Sequence, residues 1–226
     1  MKGGCGKICC ILLRCLDTMT PIYHIVHLDR LVSMVADGFI YADGEARRLG
    51  RTGTTIGMSH VKARRLSKPV PCHEGLFVGG CVPFYFCPRS VMLYILHRGN
   101  HPDVSYHGGE RPILHLEFAA EAVRRWADAQ GLRTAFTDRN ASSATAEFGS
   151  DMAGLAALDW AAINATDWRN CIERKQAEFL VEARVPFSLV SRIGVLDGGV
   201  RGEVMEALSR AGATGVCVEA VPEWYY

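Results

Sequence analysis

Residues 173–181 read Glu-Arg-Lys-Gln-Ala-Glu-Phe-Leu-Val, ERKQAEFLV. A polar half ends at Ala177, and an apolar run begins directly behind Glu178. Over residues 177–184 the two-residue period of a strand puts Glu178, Leu180 and Glu182 on one face and Phe179, Val181 and Ala183 on the other. An ionised carboxylate beside apolar neighbours costs free energy unless it is paired, solvated in a cleft or used on a ligand. Read alone, Glu178 opens an edge strand and meets solvent, as most carboxylates do.

Working outward, IYHIV (22–26), VPFYFC (82–87), PILHLEF (112–118), RIGVL (192–196) and GVCVEAV (215–221) read as further strands. Asp29 is placed to cap a helix carrying Leu31, Met34 and Val35, which Gly38 ends. Other helices are expected at 119–130, ended by Gly131, at 152–163 and near 201–211, and SVMLYIL (90–96) is an apolar segment. Strands and helices mix without a steady β-α-β rhythm, so the expected class is α+β. No repeat, low-complexity tract or linker divides the chain. Residues 19–226 are therefore expected to form one domain with at least two long loops, and loops of that length are usually functional. Residues 1–18 are expected to be a poorly structured extension, with Met19 as an alternative natural start.

Composition narrows the class without choosing it. Of 226 residues 49% are hydrophobic and 22% charged, and the net charge of +1 carries no global signature of nucleic-acid or membrane binding. Nine cysteines are an odd count in a chain with no convincing secretory signal, which favours reduced thiols and a cytoplasmic location. The apolar run Ile8 to Leu13 is broken by Arg14 and is too short to span a membrane. Cys5, Cys9, Cys10 and Cys15 lack zinc-ribbon spacing, so no metal is expected. No dinucleotide-binding glycine fingerprint, phosphate loop, nucleophile elbow or zinc-deaminase pattern is present. Charge is local instead. Between Glu45 and Lys68 seven basic residues stand against one acid, which reads as a solvated mobile loop or as an anion-binding one.

The ordered blocks IYHIVHLDRL (22–31), SHVKARR (59–65), VPFYFCPRSVMLY (82–94), PILHLEF (112–118), FTDRN (136–140), KQAEFLV (175–181) and WYY (224–226) resemble the DarT family. These are toxins that ADP-ribosylate bases of single-stranded DNA and are paired with DarG macrodomain antitoxins. The resemblance runs from about Pro21 to Tyr226. It implies the ADP-ribosyltransferase fold, with two small sheets around an NAD cleft, and NAD as substrate. VPFYFCPRSVMLY looks more like the thymine-modifying branch than the guanine-modifying one. Phage defence is the role the family commonly serves.

Residue by residue, the resemblance matches Glu178 to the catalytic glutamate and Arg65 to the essential arginine beside NAD. His24, Ile25 and Val26 match the first-strand NAD segment, and Ser33 and Tyr41 match two further NAD contacts. Thr137 to Glu178 would span the loop presenting the target strand, where Asp138, Arg139 and Asn140 either order the loop or reach the DNA. Tyr85 alternates with Phe84 and Phe86, so it faces away from them toward the cleft. Met92 either touches NAD or only packs. Arg89 is a phosphate contact or an ordinary exposed arginine. Trp168 and Trp160 are candidate base-stacking residues, although Trp160 has the helical spacing of a core position.

The implied chemistry answers why a carboxylate stands at that strand head. Breaking the nicotinamide–ribose bond develops oxocarbenium character, and a fixed carboxylate accepting a hydrogen bond from the ribose 2′-hydroxyl strengthens its interaction as that charge builds. Arg65 has two open roles, stabilising the deprotonating base or accepting its proton, although a guanidinium is a poor base in water. Guanine in DNA, RNA and protein are the alternative acceptors, because one NAD cleft serves many. A nucleic-acid-binding module with a degenerate cleft is the competing class, and an intact Glu178, Arg65 and His24 argue against it.

Overall fold

Strand β1 (Pro21–His27) zips fully onto β4 (Ile113–Ala119), from Pro21 opposite Ala119 to His27 opposite Ile113. On its other side it meets β3 (Cys81–Tyr85) at a single pair, Tyr23 opposite Tyr85. The computed structural model describes residues 19–226, and the expectation for 1–18 lies outside the described residues. Pro83 accounts for the broken seam. In an antiparallel strand a residue's N–H and C=O point to the same neighbour. The Pro83 carbonyl accepts a 2.9 Å hydrogen bond from His24 Nδ1, so the N–H that proline lacks belongs on the β1 side. The ladder cannot continue there, and a side chain fills in for it.

The eight-stranded sheet runs β10-β9-β4-β1-β3-β7-β5-β6. Its remaining strands are β5 (Thr134–Thr137), β6 (Phe148–Gly149), β7 (Glu178–Glu182), β9 (Arg192–Val195) and β10 (Val218–Ala220). A separate ribbon pairs β2 (Phe39–Tyr41) with β8 (Arg184–Pro186). The two small sheets expected are thus one large sheet of two halves, joined at the Tyr23–Tyr85 pair, plus this ribbon. Strand β7 lies between β3 and β5, so Glu178 opens an interior strand and the edge-strand reading is corrected.

Helices cover both faces. Ile22 and Val26 pack into a core with Phe84, Phe118, Val123 of α5 (Ala120–Ala129) and Val200 and Val204 of α7 (Gly198–Arg210). Tyr23 and Ile25 face the other core, with Leu93 and Leu96 of α4 (Val91–Arg98), Trp224 and Tyr225. Ser90 caps α4 by accepting from Leu93 N, and Gly99 in the left-handed region ends it. Gly194 lets the Trp224 ring lie directly on β9, where a Cβ would collide with it.

Three local expectations are revised. Asp29 does not cap α1 (Leu31–Asp37). It sits in a 3₁₀ turn over 28–30, and its carboxylate accepts from Thr54 N and Oγ1. The 45–68 stretch holds two short helices, α2 (Asp43–Arg48) and α3 (Ser59–Ser67). The 152–163 helix is a 3₁₀ turn (Met152–Ala157) followed by α6 (Trp160–Asn164), because Asp159 restarts the helix by capping Ala162 N.

His115, fully buried on β4, donates from Nε2 to the Pro88 carbonyl, while Nδ1 has no partner among the described residues. Tyr23, Trp224 and Tyr225 surround its ring. Burial pushes its pKa down to about 4, and burial likewise lowers that of His24. The unfolded chain therefore binds these protons first. Stability is full above the ordinary histidine value of 6.5 and falls as pH drops from there toward 4. The His115 share across that window is roughly 3 kcal/mol. Urea unfolding between pH 7 and 4 should show this acid limb, and a folded His115→Phe variant should show a shallower one.

Candidate active site

A cavity of about 490 Å³ opens at the β1/β3 seam. Its floor is His24 to His27 on one side and Pro83 and Tyr85 on the other. Tyr41, Arg65 and Met92 also line it, as do Arg139 and Asn140 from the loop between β5 and β7. Ser33 is not among the lining residues, and its hydroxyl donates to the Arg30 carbonyl instead. Arg89, Thr137 and Asp138 also lie outside the lining, as does Glu178, which stands behind the lining residue Arg65.

Glu178 is 1% exposed. Its Oε1 accepts from Arg65 Nη1 at 3.1 Å and from Ala141 N at 2.9 Å, and its Oε2 accepts from Arg65 Nη2 at 2.9 Å. This two-pronged fork fixes the carboxylate plane as well as its position. Arg65 stands in the last turn of α3, a helix with no buried residue of its own. What seats α3 is the close approach of the turn Val78–Gly80, where a Cβ on Gly79 would come within 2.8 Å of Leu66 Cα. Burial works against the Arg65 charge, and the adjacent Glu178 more than offsets it, so the guanidinium is held above its ordinary pKa. Tyr85, opposite Glu178 in register, is raised by burial and then by that carboxylate, so its phenol stays protonated. His24 is kept neutral by burial. Because Nδ1 donates to Pro83, Nε2 is the acceptor nitrogen.

Several lining residues carry no signal that singles them out from the sequence alone. Arg30 donates to the carbonyls of Gly53 and Thr54, which holds the 49–58 flap on the α1 side of the cavity. Lys62 pairs with Asp43 at 3.0 Å. Arg30 and Arg64 have no carboxylate partner among the described residues, so the rim keeps net positive charge suited to an anionic ligand. The loop of 138–177 is tied at its base. Asp138 pairs with Arg139 and Arg174, Arg139 reaches Glu173, and the Asn140 side chain accepts from Ser142. The Trp160 ring packs on Phe86 as a core position does, whereas Trp168 sits edge-on to Tyr94.

The family model described as ssDNA thymidine ADP-ribosyltransferase, DarT, matches residues 23–226. The chain belongs to the DarT family. A DNA ADP-ribosyl transferase of Thermus sp. (strain 2.9) is 38% identical over 213 residues, covering 92% of this chain and 96% of that protein. The solved structure of Thermus sp. 2.9 DarT in complex with ADP-ribosylated ssDNA superposes with a TM-score of 0.83 at 37% identity, over 92% of this chain and 96% of that one. The same DarT in complex with NAD+ gives 0.78 at 36%, over 93% and 99%. DarT membership makes this chain an ADP-ribosyltransferase, an enzyme class whose donor substrate is NAD, and its fold is that of the solved DarT structures.

Deleting one partner of the Glu178–Arg65 pair leaves a buried charge uncompensated. Glu178→Ala should cost about 3 kcal/mol in urea unfolding. Glu178→Gln, which keeps two acceptor or donor atoms in place, should cost visibly less. Wild-type stability in both variants would mean that the ion pair contributes nothing to the fold.

Proposed function

We propose that this enzyme transfers ADP-ribose from NAD to thymine in single-stranded DNA and releases nicotinamide. The observation that carries the reading is the buried Glu178–Arg65 fork beside a cation-rimmed cavity at the β1/β3 seam, in a chain that matches DarT from residue 23 to 226. The matching family is that of ssDNA thymidine ADP-ribosyltransferases, and a 37% identical relative has been solved with ADP-ribosylated ssDNA. Support for the donor comes from the same relative's complex with NAD+.

In this reading His24, Ile25, Val26, Tyr41, Tyr85 and Met92 hold NAD, and Arg30 and Arg64 stand near its pyrophosphate. The C1′–N bond to nicotinamide breaks, its electron pair leaves with the nicotinamide, and a new bond forms from the base nitrogen to C1′. Glu178 stabilises the positive sugar by accepting a hydrogen bond from a ribose hydroxyl. The base then loses its ring proton to water. Arg65 is held protonated by Glu178, which favours a charge-stabilising role over proton acceptance. Arg139 and Asn140 are the loop residues placed to meet the DNA, while Thr137 and Asp138 order the loop from outside the cavity. Ser33 has no part in this reading.

The biological reading is a cytoplasmic toxin of a toxin–antitoxin pair, restrained by a DarG-type macrodomain antitoxin. Cys72, Cys81, Cys87 and Cys171 are free thiols, in keeping with a reducing compartment. No helix among the described residues is long and apolar enough to cross a membrane.

Intact mass spectrometry of single-stranded oligonucleotides incubated with enzyme and NAD tests the acceptor. One set contains thymine without guanine and the other the reverse, with duplex and RNA controls. Addition of one ADP-ribose to the thymine strand alone is expected. Addition to the guanine strand would move the enzyme to the other branch, and no addition to DNA would overturn the proposal in favour of RNA or protein. Glu178→Gln should slow transfer by about 10²–10³ without loss of folding.

A further inference from the structure

Lys175 lies three residues before Glu178 and is 3% exposed, yet no carboxylate is its ion-pair partner among the described residues. Its ammonium donates to the Ile163 carbonyl at 2.9 Å and to Cys87 Sγ at 3.7 Å. Burial raises the Cys87 pKa, so the sulfur stays a neutral thiol and supplies no counter-charge. That thiol donates onward to the Arg89 carbonyl, which also accepts from the Tyr226 hydroxyl. One buried cation thus joins three segments. These are the end of α6 inside the 138–177 loop, the 3₁₀ turn Arg174–Gln176 that leads into β7, and the turn between β3 and α4.

A buried ammonium without an anionic partner is a poor device for stability, because its desolvation is offset only by hydrogen bonds to neutral acceptors, and an apolar side chain of similar volume does as well or better. A fold that keeps one is using its directionality. The ammonium's donors fix both the distance and the angle between α6 and the catalytic strand, which packing by a flexible apolar chain would not. The segment fixed in this way is the return limb of the loop whose outgoing limb carries Arg139 and Asn140 to the cavity.

We propose that Lys175 is a positioning residue for the acceptor strand, holding the 138–177 loop in register with Glu178 while leaving the NAD half of the site unaffected. This rests on the DNA-modifying reading above.

The test uses the full chain and compares wild type with Lys175→Met and with Cys87→Val, which removes the sulfur's links to Lys175 and to the Arg89 carbonyl. Melting temperature, NAD affinity by calorimetry, and KM and kcat for a thymine oligonucleotide are measured together. Lys175→Met should melt at or above the wild-type temperature, bind NAD with unchanged affinity and keep kcat close to wild type, while KM for the oligonucleotide rises about tenfold. Cys87→Val should show a smaller rise in KM. An unchanged oligonucleotide KM overturns the proposal, as does weakened NAD binding. Failure of Lys175→Met to fold, or a lower melting temperature, overturns it too, because the lysine would then be holding the fold. If the wild-type enzyme itself modifies no DNA, the DNA-modifying reading fails first, and that outcome is separate from all of these.

Discussion

Two strands that lie side by side and cannot zip together create this molecule's working space. Pro83 offers β1 a carbonyl and no N–H, so the ladder between β1 and β3 is reduced to the Tyr23–Tyr85 pair and one side-chain bond from His24. Both strands are fully paired on their other sides, to β4 and β7. The sheet therefore stays continuous while its centre parts. The cavity forms at that parting, and the residues along it come from strands whose positions are fixed by complete ladders elsewhere. A site built this way is stiff at its floor, where precision matters to chemistry, and is covered by short helices and loops, where adaptation matters to binding.

The charge arrangement follows from that geometry. Glu178 is the first residue of an interior strand, so it enters the core at the one point where the cavity gives it a polar neighbour. Arg65 arrives from a helix with no apolar face, seated against Gly79. The pair is held together mostly by its own attraction and by the backbone N–H of Ala141. Low local polarity strengthens that attraction and raises the cost of leaving either charge alone.

Much of the architecture could be read from the chain. Strand β1, the interior run Phe179 to Val181 and the glycine stops at Gly38 and Gly131 follow from two-residue or helical periods and left-handed turns. The misreadings have physical causes. Helices α2 and α3 bury no residues, so they leave no apolar stripe to detect. Asp29 has the residue type of a cap, but its carboxylate is claimed by Thr54, 25 positions away. The pairing of Arg65 with Glu178 spans 113 positions, which no local pattern encodes; resemblance to a family singled out each residue, and only the folded chain shows them paired. Lys175 is the extreme case. A lysine in a polar stretch reads as surface, and only the folded chain shows it buried.

A free carboxylate has two interchangeable oxygens, each able to accept about two hydrogen bonds. Glu178 has lost that symmetry. Among the described residues, Oε1 accepts from Arg65 and Ala141, whereas Oε2 accepts from Arg65 alone. Hydrogen-bonding capacity is therefore left unequally on the two oxygens. The protein has made two chemically identical atoms distinguishable by geometry alone.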